Sequence, residues 1–182
     1  RRFTYEEVQA IIEGAAGDFA DELRLLSAMA QKMRQRRFAA GAINFERSEM
    51  KFRIDEKGKP IEVMIKTAKE SNQLIEEFML LANRTVATFI GQSKPKKTFV
   101  YRVHDLPDGD KMENLSQFIK RFGYKIKTTG GRSDISKSIN QLLDKVQGRK
   151  EENLIETVAI RAMSKAVYST NNIGHYGLAF DY

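Results

Sequence analysis

The chain has 182 residues and a net charge of +7, and 41% of its residues are hydrophobic. This composition excludes a disordered segment. No run reaches the roughly 18 apolar residues that a membrane span needs, so we expect no membrane partner. The sequence contains no cysteine, which excludes disulfide partners, thiolate zinc sites and cysteine nucleophiles and fits a cytoplasmic protein. Because neutralised phosphates release condensed counterions, the positive charge favours a nucleic-acid partner, although a basic protein of another function would carry it as well.

Two helices are predicted at the start of the chain. Thr4 and Glu7 have the spacing of a capping box, so a short helix begins there and ends near Gly14. A second helix ends near Phe38 in a cluster of lysines and arginines, which suit the negative end of a helix dipole. Gly41 then stops this helix.

A β-hairpin is predicted near residues 42–66. Apolar residues alternate with polar ones over 42–54, with a break near Arg47 and Ser48. Residues 55–58 have the composition of a turn, and the alternation returns over 61–65. We expect this hairpin to pack on the long helices.

The predicted elements after the hairpin are mostly helices. A long helix at 68–90 is followed by a basic loop at 94–97 and a short β-rich run at 98–103. Three helices come next, at 110–122, 134–147 and 151–169, and the segment 174–180 is extended. The fold class is therefore mixed α/β or α+β and rich in helix. The strands are too few to form a complete sheet, which indicates an incomplete domain.

The helix over 68–90 carries two adjacent glutamates that a helical wheel separates. Glu76 and Asn83 fall between two apolar arcs, whereas Glu77 and Arg84 fall on a polar side. This pattern predicts that Glu76 is buried and that Glu77 is solvated. A buried carboxylate is costly unless it is paired or hydrogen-bonded, so Glu76 needs either a structural partner in the core or a functional one.

Lysines and arginines concentrate in four clusters, at residues 32–37, 94–97, 120–127 and 145–150. The second and third clusters adjoin aromatic residues, a combination typical of proteins that bind single-stranded nucleic acid. Phe118 and Phe122, four residues apart, also fit the core face of a helix. Arg161, with Lys165 and Tyr168, forms a stripe on the last predicted helix that faces either phosphate or solvent.

The two histidines, His104 and His175, do not lie in a metal-binding spacing, and the sequence indicates no nucleophile or acid partner for either. No glycine-rich phosphate-binding motif occurs. The roles of both histidines stay open, and the residues alone indicate no catalytic centre.

Four runs in register carry a resemblance to a known family. They read GAINF at 41–45, NQLIEEFMLLAN at 72–83, YRVH at 101–104, and RAMSKAVY with NIGHYGL over 161–178. In this order and spacing they resemble the catalytic (RNB) domain of the ribonuclease R and ribonuclease II family. The resemblance spans essentially all 182 residues.

The resemblance implies a processive 3′→5′ exoribonuclease, a hydrolase that releases nucleoside 5′-monophosphates from single-stranded RNA with Mg²⁺ as its cofactor. Phe45 matches the aromatic that stacks on bases near the 3′ end, and Glu76 matches the acid that contacts the terminal nucleotide. Tyr176, with His175, lies where the family's chain approaches the active site. Together with Arg161 of the basic stripe, these are the residues expected to contact RNA.

The sequence also departs from the family's pattern. It contains neither the aspartate-rich metal-binding motif nor the Thr-Ser-Pro-Ile-Arg-type segment, and the cold-shock and S1 barrels are missing. We therefore expect residues 1–182 to be the middle portion of one RNB catalytic domain, without catalytic residues or metal ligands of its own and inactive in isolation. The alternatives are a stand-alone, non-catalytic RNA-binding or scaffold module of the same fold, and an unrelated basic structural protein.

Overall fold

The computed structural model describes residues 1–45 and 49–182 and confirms a helix-rich α+β fold. Its elements are α1 Tyr5–Ile12, α2 Ala20–Ala39, β1 Glu49–Ile54, β2 Pro60–Lys66, α3 Glu70–Gly91, β3 Tyr101–Val103, α4 Gly109–Lys120, α5 Arg132–Val146, α6 Glu152–Ala162, β4 Val167–Ser169 and a 3₁₀ turn Tyr176–Leu178. Within the described ranges, none of the helices is long and apolar enough to cross a membrane. The chain forms two compact units, unit 1 with residues 1–34 and 46–80 and unit 2 with residues 35–45 and 81–182.

The start of α1 and the end of α2 lie where their capping residues predict. The hydroxyl of Thr4 accepts a hydrogen bond from the Glu7 backbone N–H at 3.1 Å, and the Glu7 carboxylate accepts one from the Thr4 N–H at 2.7 Å. This reciprocal pair confirms the capping box. Helix α2 ends at Ala39, and Gly41 follows with a φ of +103°, a conformation that favours glycine.

The predicted hairpin forms, but it begins later than expected. Strands β1 and β2 pair antiparallel, and the Asp55 carboxylate accepts hydrogen bonds from the backbone N–H groups of Lys57 and Lys59 in the turn. Residues 42–45 are not part of a strand, and the predicted break near Arg47 and Ser48 lies outside the described residues. The alternating pattern therefore located the hairpin correctly and its first residue wrongly.

Apolar side chains of the hairpin remain exposed on both strands. The exposed fraction lies between 43% and 72% for Met50, Phe52, Ile54, Ile61, Val63 and Met64. These side chains are therefore not buried by packing on the long helices.

Polar side chains connect the helices of unit 1. Between α1 and α3, the Gln9 side-chain oxygen accepts a hydrogen bond from the Ser71 N–H at 3.0 Å, while the Gln9 amide donates to the carboxylate of Glu13 at the end of α1 itself. Between α2 and α3, the Gln31 amide donates to the Gln73 side-chain oxygen at 3.0 Å. These contacts orient the helices by hydrogen-bond geometry as well as by apolar packing.

Burial on α3 is opposite to the helical-wheel prediction. Glu77 is 3% exposed, and its carboxylate lies 3.7 Å from the guanidinium of Arg34, which is buried on α2. Glu76 is exposed, so the prediction that it is buried is wrong. A carboxylate is tolerated inside a fold where a guanidinium offsets its charge, and the packed face of α3 therefore includes Glu77. Only part of the most apolar arc packs, since Leu74 is buried whereas Ile75 and Met79 are exposed.

Unit 2 contains a continuous apolar core between α4, α5 and α6. Its buried residues are Ile43, Met112, Leu115, Ile119, Ile139, Leu142, Leu143, Val146, Ile155, Ala159, Ala162, Met163 and Tyr176. They recur at helical spacing along each helix, so each helix turns one stripe towards the others. Here the apolar periodicity of the sequence does identify the buried face.

The end of the chain differs from its predicted structure. Helix α6 ends at Ala162 rather than near residue 169, because Val167–Ser169 forms β4 and pairs antiparallel with β3. Valine and tyrosine favour strands. The pairing also gives backbone groups of β3 hydrogen-bond partners, which they would lack if α6 continued to residue 169. The segment from Gly174 to Phe180 is not extended. It folds back through the 3₁₀ turn, and the His175 N–H donates to the Phe180 carbonyl at 2.7 Å.

Candidate nucleic-acid interface

Phe45 lies at the end of a short irregular segment of unit 2. Its ring is half-buried and packs against the apolar core of that unit. The side-chain amide of Asn140 on α5 donates to the Ala42 carbonyl at 2.8 Å and accepts from the Asn44 N–H at 3.1 Å. The Ile43 N–H donates to the Gly177 carbonyl at 3.0 Å. The segment therefore has hydrogen-bond partners on two sides, and one part of the Phe45 ring stays accessible.

His104 makes hydrogen bonds to Gly174, Tyr176 and Gly177 near the end of the chain, next to the segment that carries Phe45. Its backbone N–H donates to the Gly174 carbonyl at 3.0 Å, and its carbonyl accepts from the Tyr176 N–H at 2.8 Å. Its Nδ1 accepts from the Gly177 N–H at 3.0 Å, and its Nε2 lies 2.8 Å from the Ser164 carbonyl. A carbonyl only accepts, so the proton is on Nε2 and the imidazole is neutral.

The two histidines form an uncharged pair. Their ring centroids are 4.9 Å apart in an edge-to-face arrangement. Burial lowers the pKa of His104, and burial lowers the pKa of His175 to about 4, with His104 and Arg102 acting in the same direction. With both pKa values lowered, we expect both rings to be neutral at physiological pH.

Tyr176 is a core residue and is 1% exposed. The Arg132 guanidinium lies 5.5 Å from the centre of its ring, and burial raises the pKa of its hydroxyl. In this conformation its side chain belongs to the core against which Phe45 packs, and it offers no surface to a base. Its backbone N–H donates to the carbonyl of His104, the residue after β3, and the carbonyl of its neighbour Gly177 accepts from the Ile43 N–H.

Arg161 is exposed in the last turn of α6. Lys165 is exposed as well, and Tyr168 on β4 is 77% exposed. Because α6 ends at Ala162, these three residues do not share one helical face, and the predicted stripe is wrong in that respect. Each remains available to a phosphate or a base. Glu76 is exposed on the part of α3 that belongs to unit 1.

A basic cavity lies between α5 and the loop before it. Its volume is about 350 Å³, and it is lined by Lys125, Ile126, Lys127, Asp134, Lys137, Ser138 and Gln141. The Lys127 N–H donates to the Ser138 hydroxyl at 2.8 Å, which fixes the loop against the helix. Three lysines against one carboxylate give the cavity a net positive charge, which favours anions such as phosphate. The sequence indicates Lys125 and Lys127 through their cluster, whereas Lys137 has no basic neighbour along the chain.

The part of the chain that the structure describes contains no group of three or more histidine and carboxylate side chains able to hold a metal ion. Magnesium is held by several converging carboxylate oxygens. These residues therefore do not fit a Mg²⁺ site, and no catalytic step through a metal can be assigned to them.

The RNB domain family model matches residues 1–182. The chain belongs to the RNB domain family. It is 32% identical over 187 residues to ribonuclease R of Aquifex aeolicus, covering 100% of this chain and 26% of that protein. It is 35% identical over 185 residues to ribonuclease R 1 of Lactococcus lactis, covering 98% of this chain and 22% of that protein. The chain thus spans about a quarter of the length of these curated RNB relatives.

Solved structures of RNB proteins share the fold. Mycoplasma genitalium RNase R in complex with ribose-methylated single-stranded RNA superimposes with a TM-score of 0.86 at 22% identity, over 99% of this chain and 28% of that chain. Yeast Ssd1, described as a pseudonuclease, superimposes with a TM-score of 0.63 at 17% identity, over 98% of this chain and 22% of that chain. At these identities the likeness concerns the fold.

Proposed function

We propose that this chain is the middle portion of the catalytic domain of a processive 3′→5′ exoribonuclease. The parent protein hydrolyses single-stranded RNA to nucleoside 5′-monophosphates in the cytoplasm. The observation that carries this proposal is the match of the RNB family over all 182 residues, together with curated relatives named ribonuclease R. The Mycoplasma genitalium enzyme was solved in complex with single-stranded and with double-stranded RNA, which supports RNA as the substrate.

The contribution of the chain is to hold RNA. Phe45 stacks on a base through the accessible part of its ring, and Tyr176 supports the Phe45 segment from the core. Arg161 and the three lysines of the basic cavity neutralise phosphates, which releases counterions and makes binding sensitive to salt. Glu76 contacts the terminal nucleotide, for which its exposure on α3 is favourable.

The hydrolytic step belongs to other parts of the parent protein. Such nucleases use Mg²⁺ to activate water and to stabilise the charge that develops on the phosphate. We place the magnesium ligands in other parts of the parent protein, because residues 1–45 and 49–182 include no group of three or more histidine and carboxylate side chains that could hold the ion. The isolated chain is accordingly expected to bind RNA and not to cut it.

Phe45→Ala in the full-length parent tests the proposed RNA contact. Base–aromatic stacking is worth about 1–3 kcal/mol, so RNA affinity should fall about 5- to 150-fold, and the length of the final products should change. Phe118→Ala is the matched control, because Phe118 is also half-buried against the same core. Unchanged affinity and unchanged products in a folded Phe45→Ala protein would remove Phe45 from the interface.

A second function is favoured by one comparison. The likeness to yeast Ssd1, a pseudonuclease, fits a non-catalytic RNA-binding or scaffold module of the same fold. The two proposals differ in the parent protein, since only the exoribonuclease shortens RNA when Mg²⁺ is added. A full-length parent that binds RNA and leaves its length unchanged would establish the second.

A further inference from the structure

We propose that Asn140 and His104 are positioning residues that fix Phe45 for stacking on RNA. The inference rests on the proposed function, because it assigns a purpose to the segment that carries Phe45. Neither residue follows from the sequence pattern. Asn140 is one polar residue of α5 with its partners 96 and 98 residues away along the chain.

Asn140 acts on one side of the segment as a strand neighbour would. Residues 42–45 form no regular structure, so their backbone groups need partners from elsewhere. One side-chain amide supplies both a donor for the Ala42 carbonyl and an acceptor for the Asn44 N–H. Ala42 is fully buried, so losing its partner leaves a carbonyl unsatisfied inside the protein. Because the two bonds flank Ile43, they fix the direction in which the chain reaches Phe45.

His104 acts on the opposite side through Gly177. The Gly177 carbonyl accepts from the Ile43 N–H, while the Gly177 N–H donates to Nδ1 of His104. The other ring nitrogen donates to the Ser164 carbonyl just beyond α6. A Cβ on Gly177 would lie 3.1 Å from Nδ1 of His104, so a larger residue at this position would require the ring to shift by a few tenths of an ångström. A continuous series of hydrogen bonds therefore runs from the end of α6 to the segment that carries Phe45.

Packing alone leaves Phe45 less defined. The ring is half-buried, so the core holds one part of it and the accessible part must be aimed by the backbone. Without the hydrogen bonds on its two sides, the segment would be flexible in the free protein. RNA binding would then have to order it, and this entropy cost would weaken binding. The chemistry on the phosphate would be unaffected. The inference thus predicts an effect on KM for RNA and not on kcat.

The experiment uses the full-length parent and compares Asn140→Ala, Phe45→Ala and the double variant. Asn140→Ala should raise KM for single-stranded RNA, by no more than Phe45→Ala does, with kcat unchanged. It should have no further effect in the Phe45→Ala background, because there is no ring left to position. Ile139→Val is the control for stability, since Ile139 is the fully buried neighbour of Asn140 on the core side of α5.

Conservative variants separate the two hydrogen bonds. Asn140→Asp keeps an acceptor for the Asn44 N–H but sets a carboxylate oxygen against the Ala42 carbonyl, so it should raise KM at least as much as Asn140→Ala does. His104→Asn keeps an acceptor near the position of Nδ1 and should raise KM less than His104→Ala. If Asn140→Ala does not fold, the comparison of His104→Asn with His104→Ala decides the question.

The possible outcomes distinguish this inference from the proposed function. If Phe45→Ala leaves KM and products unchanged, the assignment of Phe45 to RNA fails. If Phe45→Ala raises KM while Asn140→Ala behaves like Ile139→Val, the RNA contact stands and the positioning inference is overturned. Fully additive effects in the double variant, or a fall in kcat with constant KM, would overturn it as well.

Discussion

The two compact units of this chain are built in opposite ways. Unit 2 has a continuous apolar core, formed by one stripe from each of three helices. Unit 1 connects its helices through polar groups, including the buried ion pair of Arg34 and Glu77, and leaves apolar side chains of its hairpin and of α3 exposed. The comparison teaches that the apolar face of a helix identifies the buried face only where an apolar partner is present within the same unit.

The largest expected effect comes from the buried ion pair of unit 1. Glu77→Ala leaves the buried guanidinium of Arg34 without this carboxylate, which should lower the free energy of unfolding by about 3–5 kcal/mol. Urea unfolding measures the change. Glu76→Ala, one residue away and exposed, is the matched control and should cost far less. Equal costs for the two glutamates would contradict the burial that the structure assigns to α3.

A smaller effect is expected from the apolar core of unit 2. Leu142→Ala removes a side chain that is 1% exposed and should cost about 2–5 kcal/mol of unfolding free energy. Met79→Ala on α3 of unit 1 should change it by only about 0.5 kcal/mol or less, because Met79 is exposed. A large cost at Met79 would mean that the apolar arc of α3 is buried in solution and that the contrast between the units is mistaken.

Acidification should destabilise unit 2 through His175. The unfolded chain takes up this proton near the ordinary pKa of 6.5, whereas the folded chain does so only near pH 4. The stability that neutral His175 contributes to the folded chain is therefore fully present above pH 6.5 and is lost as the pH falls towards 4. His175→Asn should reduce this fall in the free energy of unfolding, while carboxylates titrate alike in both proteins. Identical pH profiles for the variant and the wild type would refute the assignment.

Local chemistry made most of the fold predictable. The capping box at Thr4, the turn at Asp55 and the stop at Gly41 each depend on a few neighbouring residues, and each is confirmed. The end of α6 was not predictable in the same way. Whether residues 163–169 continue the helix depends on β3, a pairing partner more than 60 residues away along the chain.

The candidate site was predictable only where the family resemblance named residues. The wheel placed Glu76 inside the fold because it weighed apolar neighbours and could not foresee that Arg34 would neutralise Glu77. Asn140 gave no signal, since an asparagine within a helix has no local feature that reveals hydrogen bonds to residues 42–44. Tyr176 lay in a recognised run, yet its burial follows from the fold of unit 2.

The central claim is that this chain holds RNA and that hydrolysis needs other parts of the parent protein. Its most direct test incubates the 182-residue chain and the full-length parent with 5′-labelled single-stranded RNA and Mg²⁺. We predict that the parent shortens the RNA stepwise from its 3′ end, whereas the chain binds it in a salt-sensitive manner and leaves its length unchanged. Stepwise shortening by the chain itself, lost on chelation and absent from a Glu76→Ala variant, would contradict the claim.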